Sequence, residues 1–243
     1  MIAALPRSSV EMPLPVARWL EVAWANGVDE VASLRVEGSV RVHRRRGWLR
    51  GSCTMSLQAG VAYATEVRVG LRPLPSVRGF DAYVDGHGVM TLGRDASTGP
   101  AVDEAAFLAL WAESILFPSC WERLPGLRFT PVDDTEALVA LPFGNGIITA
   151  TLRFDPEISP FPLAFEAVRR RMPGGPRFSW QTLYDDWHWR NGLALPTHMR
   201  ATWADEPNPW FELHVERVVP NAPVGDELDR ARHVLASHLA AAR

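Results

Sequence analysis

Glu113, Asp81 and Tyr83 are the residues of this 243-residue chain whose types and spacing best suit proton chemistry. Ala109, Leu110, Leu116 and Phe117 surround Glu113 at helical spacing, which directs its carboxyl group toward an apolar face. A carboxyl placed there is pushed above its ordinary pKa, the condition that general acids and bases exploit. The alternative is a cap, or an ion pair with an arginine across the core. Asp81, Tyr83 and Asp85 project from one side of a strand by its period of two, while Phe80, Ala82 and Val84 point to the other. If the polar side faces inward, Asp81 and Tyr83 join Glu113 as a candidate catalytic set that moves protons at a substrate carbon or hydroxyl. If it faces outward, it is a solvated sheet face.

Two further groups stand out. His188, His198 and His214 fall on three successive predicted strands, with Glu212 and Glu216 on the side of His214. Histidines converging from neighbouring strands bind zinc or another transition metal. Strand spacing does not by itself bring them to one face, so the expectation is isolated, exposed histidines and no metal. Trp180, Trp187, Trp189, Trp203 and Trp210 crowd the final strands. Trp187 and Trp189 share a face by alternation; together with Trp203, Trp111 and Trp121 they are the candidates to line a ligand pocket as rigid apolar walls. Filling the core is the other use of such residues.

Composition removes several classes. Hydrophobic residues make up 47% and charged residues 22%, values of an ordinary folded protein rather than a disordered one. The net charge is −3 and the short cluster Arg44 to Arg46 reads as a turn between strands, so no nucleic-acid partner is expected. There is no lysine, which excludes Schiff-base and lysine-base mechanisms. Cys53 and Cys120 lack the spacing of a zinc site or a disulfide framework and are expected to stay reduced. No GxSxG, HExxH, GxxxxGK[ST] or GxGxxG motif occurs, so no cofactor is expected. The first eleven residues do not read as a secretory signal and no segment reads as a membrane span, which gives a cytoplasmic expectation. No oligomeric state is indicated.

The elements that must position these residues are mostly strands. Leu14 to Ala25 is predicted as an amphipathic helix stopped at Asn26-Gly27. Alternating strands follow from Val31 to Val69, with turns at Arg46-Gly47 and near Gly60, and Gly70 to Gly79 is a proline-bearing loop. Asp85-Gly86 marks a tight hairpin. A helix from Asp103, as its cap, to Phe117, stopped by Pro118, is inserted mid-chain. A hairpin about Gly144-Asn145-Gly146 follows, then strands at Leu163 to Arg170, Phe178 to Arg190, Ala194 to Trp203 and Trp210 to Val219, with a turn at Asn191-Gly192. A helix from Asp226 to Ala242 ends the chain. One domain over residues 1–243 is expected: an α+β fold in which a curled antiparallel half-barrel wraps a central helix, with short helices at both termini.

Several of these residues also carry a family likeness. Leu14-Pro15 with its helix, Asp81-x-Tyr83-x-x-Gly86-x-Gly88, Ala112-Glu113-Ser114 running to Pro118 and Trp121, and Trp180 followed by Asp186-Trp187 and Gly192-Leu193-x-Leu195-Pro196 up to Trp203 resemble the bacterial domain of unknown function 6544 over nearly the whole chain. Asp186 to Trp203 is similar to a section of the LolA-like lipoprotein-sorting half-barrels, which implies a curved sheet around a helix and an apolar cavity that holds acyl chains. The apparent lack of a signal peptide departs from their pattern and argues against a periplasmic carrier role. The functional expectation is binding of a hydrophobic small molecule or acyl chain. The alternatives are a cofactor-independent hydrolase, isomerase or cyclase in the same cavity, and an interaction module using a sheet edge or the terminal helix.

Overall fold

The structure is a computed structural model that describes residues 12–24, 31–44, 47–70, 76–93, 95–123, 125–190 and 192–241. The expectations for Met1 to Glu11, for the stop at Asn26-Gly27, for Arg45 and Arg46, for the middle of the proline-bearing loop, for Asn191 and for Ala242 lie outside the described residues.

Among the described residues, thirteen strands form one sheet. In chain order they are β1 (Ser33–Arg44), β2 (Gly47–Gln58), β3 (Ala62–Gly70), β4 (Val77–Val84), β5 (His87–Leu92), β6 (Asp95–Ser97), β7 (Arg128–Pro131), β8 (Glu136–Phe143), β9 (Gly146–Asp155), β10 (Ser159–Arg170), β11 (Arg177–Arg190), β12 (Leu193–Trp203) and β13 (Phe211–Pro220). The spatial order is β6-β5-β4-β3-β2-β1-β13-β12-β11-β10-β9-β8-β7, all antiparallel. Two meanders are thus joined where the first strand meets the last, and β6 and β7 are the free edges. Short turns make this order natural: Asp85 and Gly86 both take positive φ, 53° and 84°, as a two-residue hairpin of this twist requires.

Alternation then fixes two faces. Leu34, Val36, Val40 and Val42 of β1, Leu213 and Val215 of β13, and Val139, Leu141, Leu152 and Phe165 across β8 to β10 all enter one core. A sheet of thirteen strands brings residues from both halves into one core only by curling. Inside the curl lie α1 (Leu14–Trp24), α2 (Pro100–Glu113), a single 3₁₀ turn at Ser114–Leu116 and α3 (Pro118–Arg123). On the outer face Ala62, Ala64, Ala82, Val84 and Val89 form a smooth, small-residue platform. There α4 (Gly225–Ala241) sets down Leu228, Ala231 and Leu235. Arg35–Glu227 and Arg232–Asp85 ion pairs, 2.5 and 3.0 Å, flank that contact.

Helix boundaries differ from the sequence reading at both ends of the central helix. Gly99, at φ 105°, is the N-cap of the central helix and Pro100 its first residue, a position where the missing N–H costs nothing. Asp103 sits in the first turn and reaches across to the sheet instead. The central helix also stops at Glu113, before the 3₁₀ turn, rather than at Phe117, and Pro118 begins α3 instead of ending α2, for the same reason. No helix among the described residues is long and apolar enough to cross a membrane.

Candidate functional site

Helix α2 lies directly on the concave face because β5 presents no side chain where they meet. A Cβ on Gly88 would stand 2.5 Å from the Val102 carbonyl oxygen and 2.8 Å from the Ala106 Cβ. The Gly88 N–H donates to Asp103 Oδ1 at 2.7 Å and locks the register of that contact. From the opposite half of the sheet, Arg169 of β10 donates through Nη1 to the Ala105 carbonyl at 2.9 Å, and the Tyr184 hydroxyl of β11 donates to the Ala112 carbonyl at 2.7 Å. The Ser114 hydroxyl donates to the Leu110 carbonyl, 2.7 Å, and Trp121 Nε1 to the Ser114 carbonyl, 2.9 Å, so α3 folds back on the end of α2. These tethers place Glu113, the last residue of α2, in the middle of the curl.

Around Glu113 stands a group of ionisable residues. Asp81 and Tyr83 of β4 do face the concave side, while Ala82 and Val84 face α4. Thr65 of β3 is the direct cross-strand partner of Asp81, and Tyr63 that of Tyr83. Burial pushes the Glu113 carboxyl well above the usual range, and the nearby charge of Asp81 pushes it further. Burial also raises Asp81, but the Tyr63 hydroxyl, the Arg169 guanidinium and the Ala82 N–H all favour its charged form. Of the pair, Glu113 therefore holds the proton more firmly. Burial raises Tyr63 and Tyr184 well above the ordinary phenol range, and carboxylate charge adds to both. Burial lowers Arg169, against the pull of Asp81 and Tyr63. Its guanidinium lies 4.0 Å over the Trp180 ring and 5.4 Å from that of Trp203.

The hydrogen bonding of this group is incomplete. Glu113 Oε2, Tyr63 Oη, Thr65 Oγ1 and Arg169 Nε are buried and have no hydrogen-bond partner among the described residues. The Tyr63 hydroxyl stands close enough to Asp81 to stabilise its charge, but outside ordinary hydrogen-bond geometry. Buried polar groups in folded proteins are nearly always paired, and of these residues Tyr63 is within electrostatic reach of both Glu113 and Arg169.

The structure brings Asp81 and Glu113 together and puts Tyr83 elsewhere. Tyr83 packs on Phe107, 5.7 Å between centroids, with Asp103 as its charged neighbour. Its cross-strand partner Tyr63 takes the place beside Asp81. Asp85 leaves the row altogether at the hairpin turn and pairs with Arg232. Trp111 and Trp121 are both about 1% exposed and meet edge-on at 5.0 Å, deep under the sheet. Trp203 is buried beside Arg169. Trp187 stacks on Phe161 at 4.7 Å and lies 6.4 Å from Tyr184, while Trp189, 44% exposed, meets the edge of the Phe161 ring at 6.1 Å. Aromatic surface thus runs from solvent at Trp189 through Phe161 and Trp187 to Tyr184, whose hydroxyl sits at the Glu113 turn.

Sequence reasoning missed Tyr63, Arg169 and Tyr184. A signal existed for two of them: alternation puts Arg169 on the face of Phe165 and Ala167, and Tyr184 on that of Trp180 and Thr182. Of the histidines, His198 and His214 face one another outside the curl, whereas His188 is exposed and apart from them. Burial, with His214 and Arg200 nearby, lowers the pKa of His198 against the opposite pull of Asp185 and Glu212.

Fold and site define a class: a single curled antiparallel sheet holding a helix that presents a buried carboxyl group to a second carboxylate and two tyrosines, with an arginine beside that carboxylate. The chain belongs to a family described as a family of unknown function, DUF6544, which matches residues 5–213. No curated protein matches it. Among solved structures it is similar to a lipoprotein-sorting protein domain from Vibrio parahaemolyticus, at 11% identity and TM-score 0.48 over 90% of this chain and 97% of that one. It is also similar to a LolA superfamily protein from Nitrosomonas europaea, at 9% identity and TM-score 0.45 over 86% and 92%. A DUF1329 family protein from Desulfovibrio piger gives 12% identity and TM-score 0.46 over 87% and 95%.

Proposed function

We propose that this chain binds an amphipathic small molecule, its apolar body against Phe161 and Trp187 and its polar group at Glu113. The observation that carries this reading is a set of buried atoms with no hydrogen-bond partner among the described residues, Glu113 Oε2, Thr65 Oγ1 and Arg169 Nε, with Glu113 at the inner end of an aromatic surface that begins in solvent. A hydroxyl, carboxyl or carbonyl group on the ligand supplies the missing partners, and the low-polarity surroundings strengthen each bond made there. An acyl chain or an isoprenoid of similar bulk fits the aromatic part. Organic extraction of purified protein followed by mass spectrometry tests the proposal: one co-purifying molecule near one equivalent is expected, and W187A should release it. No co-purifying molecule, together with unchanged tryptophan fluorescence and melting temperature across fatty acids, fatty alcohols and isoprenoid alcohols, would sink the reading.

A second reading rests on the coupled pair. Glu113 retains a proton beside Asp81, which is the more readily ionised, so one group can donate while the other accepts. That is the equipment of a cofactor-independent hydrolase, isomerase or cyclase acting on the same bound molecule. Once a substrate is known, E113Q should abolish turnover yet keep its binding; unchanged turnover ends this reading.

A further inference from the structure

We infer that His198, His214 and Glu212 form a binding site for a divalent transition metal of the zinc class on the outer face of the sheet. The site is separate from the concave face and independent of the function proposed for it. Strands β12 and β13 are paired so that His198 stands directly opposite His214 and Arg200 opposite Glu212. Glu212 and His214 are two residues apart on one strand and share a face, so all three side chains leave the sheet on the same side. One ligand atom from each lies within 4.8 Å of the other two. The imidazole rings of His198 and His214 are parallel, 4.3 Å apart and inclined by 7°.

The donor set decides the metal. Two imidazoles and one carboxylate suit zinc, and also copper and nickel, whereas calcium and magnesium demand oxygen ligands. Zinc bonds of about 2.0–2.2 Å in a tetrahedron put donor atoms roughly 3.4 Å apart, so the three must close by up to about 1.4 Å. His214 is exposed and free to make that movement by rotating about its side-chain bonds. Behind His198, from the strand on its other side, Asp185 Oδ2 lies 3.9 Å from its Nδ1. Its Nε2 is buried and unpaired among the described residues, which makes it the ligand atom. A carboxylate behind a ligating imidazole is the usual outer support of a zinc histidine.

The backbone under His214 is equally specified. Ser39 is its cross-strand partner, and at the neighbouring Gly38, beside a bulge in β1, a Cβ would stand 2.1 Å from the His214 carbonyl oxygen. Helix α4 packs on β3, β4 and β5 and leaves this part of the outer face uncovered. Arg41 holds Glu212 at 3.3 Å and Arg200 holds Asp185 at 2.6 Å, so the carboxylates are balanced in the absence of metal and a metal must displace Arg41. Three protein ligands leave the fourth position open to water or to an anionic group.

The test uses the full chain without a histidine tag, stripped with a chelator and titrated with zinc chloride in competition with a colorimetric zinc indicator, and in parallel with cobalt chloride. The expected result is one equivalent of zinc and a visible cobalt absorption of tetrahedral intensity. H198N and H214N should each weaken zinc by ~10-fold or more and remove the cobalt band, and D185N should weaken it by about 10-fold, as outer-shell changes do. H188N should stay within about twofold of the parent, an outcome that separates a specific site from loose surface binding. Circular dichroism of each variant confirms folding, and E212Q supplies an independent ligand removal should a histidine variant unfold. Zinc held no better than magnesium, loss of binding in H188N, or full binding in both H198N and E212Q would overturn the assignment.

Discussion

Replacing Glu113 by Gln separates a proton-holding carboxyl from a paired carboxylate, because the two make opposite demands on stability. In the folded protein Glu113 keeps its proton above the ordinary carboxyl range, through burial and the charge of Asp81. The unfolded chain releases that proton near pH 4.3. Stability from this group is therefore complete below that pH and is lost as pH rises through the raised folded value, at about 1.4 kcal/mol per unit of displacement. Gln has the same shape and no proton to lose. At pH 4 both proteins hold a neutral group there and should agree within about 1 kcal/mol, the net scale of one hydrogen bond. At pH 8 E113Q should be the more stable, with a gain in melting temperature of ~3 °C or more for each unit by which Glu113 is displaced, given the size of the chain. Paired thermal melts of parent and variant across that range measure this difference directly. If E113Q instead loses stability at pH 8 relative to pH 4, Glu113 is ionised and paired, and both the proton assignment and the acid/base reading of the site fail.

Other expectations follow from single contacts. G88A drives a methyl group into the Val102 carbonyl and Ala106, and should cost about 1–3 kcal/mol in chemical denaturation, more than an alanine at the open Gly86 turn beyond its backbone strain; equal costs would mean α2 does not rest on β5. R169M removes the cation from beside Asp81 and should cost about 3–5 kcal/mol, with D81N in the same chain restoring part of it; strict additivity of the two changes would show that they do not interact. Cys53 is buried with its thiol pushed far up by burial and by Glu113, so in a C120S background it should resist a disulfide reagent until the protein unfolds. Rapid modification under native conditions would refute its placement.

Much of this architecture could be read before any coordinates, and the reason is local. Asp85-Gly86 demanded a particular turn, and the alternation of Phe80 to Val84 put Asp81 on the face opposite Ala82. Helical spacing aimed Glu113 at an apolar neighbour. What failed was the choice between positions that share a face. Tyr63 and Tyr83 are cross-strand partners on one side of the sheet, and only the seat of α2 along β5, set by Gly88 and Asp103, decides that one meets Asp81 while the other meets Phe107. Asp103 reads as a helix cap because caps favour its residue type, yet Gly99-Pro100 starts the helix a turn earlier and frees the carboxylate for the sheet. The histidines failed for the opposite reason: each looked isolated along the chain, and the register of β12 on β13 paired two of them.

The strand order explains why Glu113 is inside at all. Thirteen strands spaced about 4.8 Å apart would separate the free edges β6 and β7 by roughly 58 Å if the sheet were flat. The chain between those edges contains α2 and α3, whose 14 and 6 residues supply about 21 and 9 Å. Trp111 and Trp121 touch, so α3 turns back on α2 and the two do not add end to end. Even with its connecting residues extended, this link cannot span a flat sheet, and the edges must turn toward one another. The apolar residues on α2 then choose the side: Phe107, Leu108, Leu110 and Trp111 can be covered only within the concavity. A carboxyl group at the end of such a helix is carried into the core by the connection itself, which leaves Arg169, Tyr63 and Asp81 to determine how its charge is managed there.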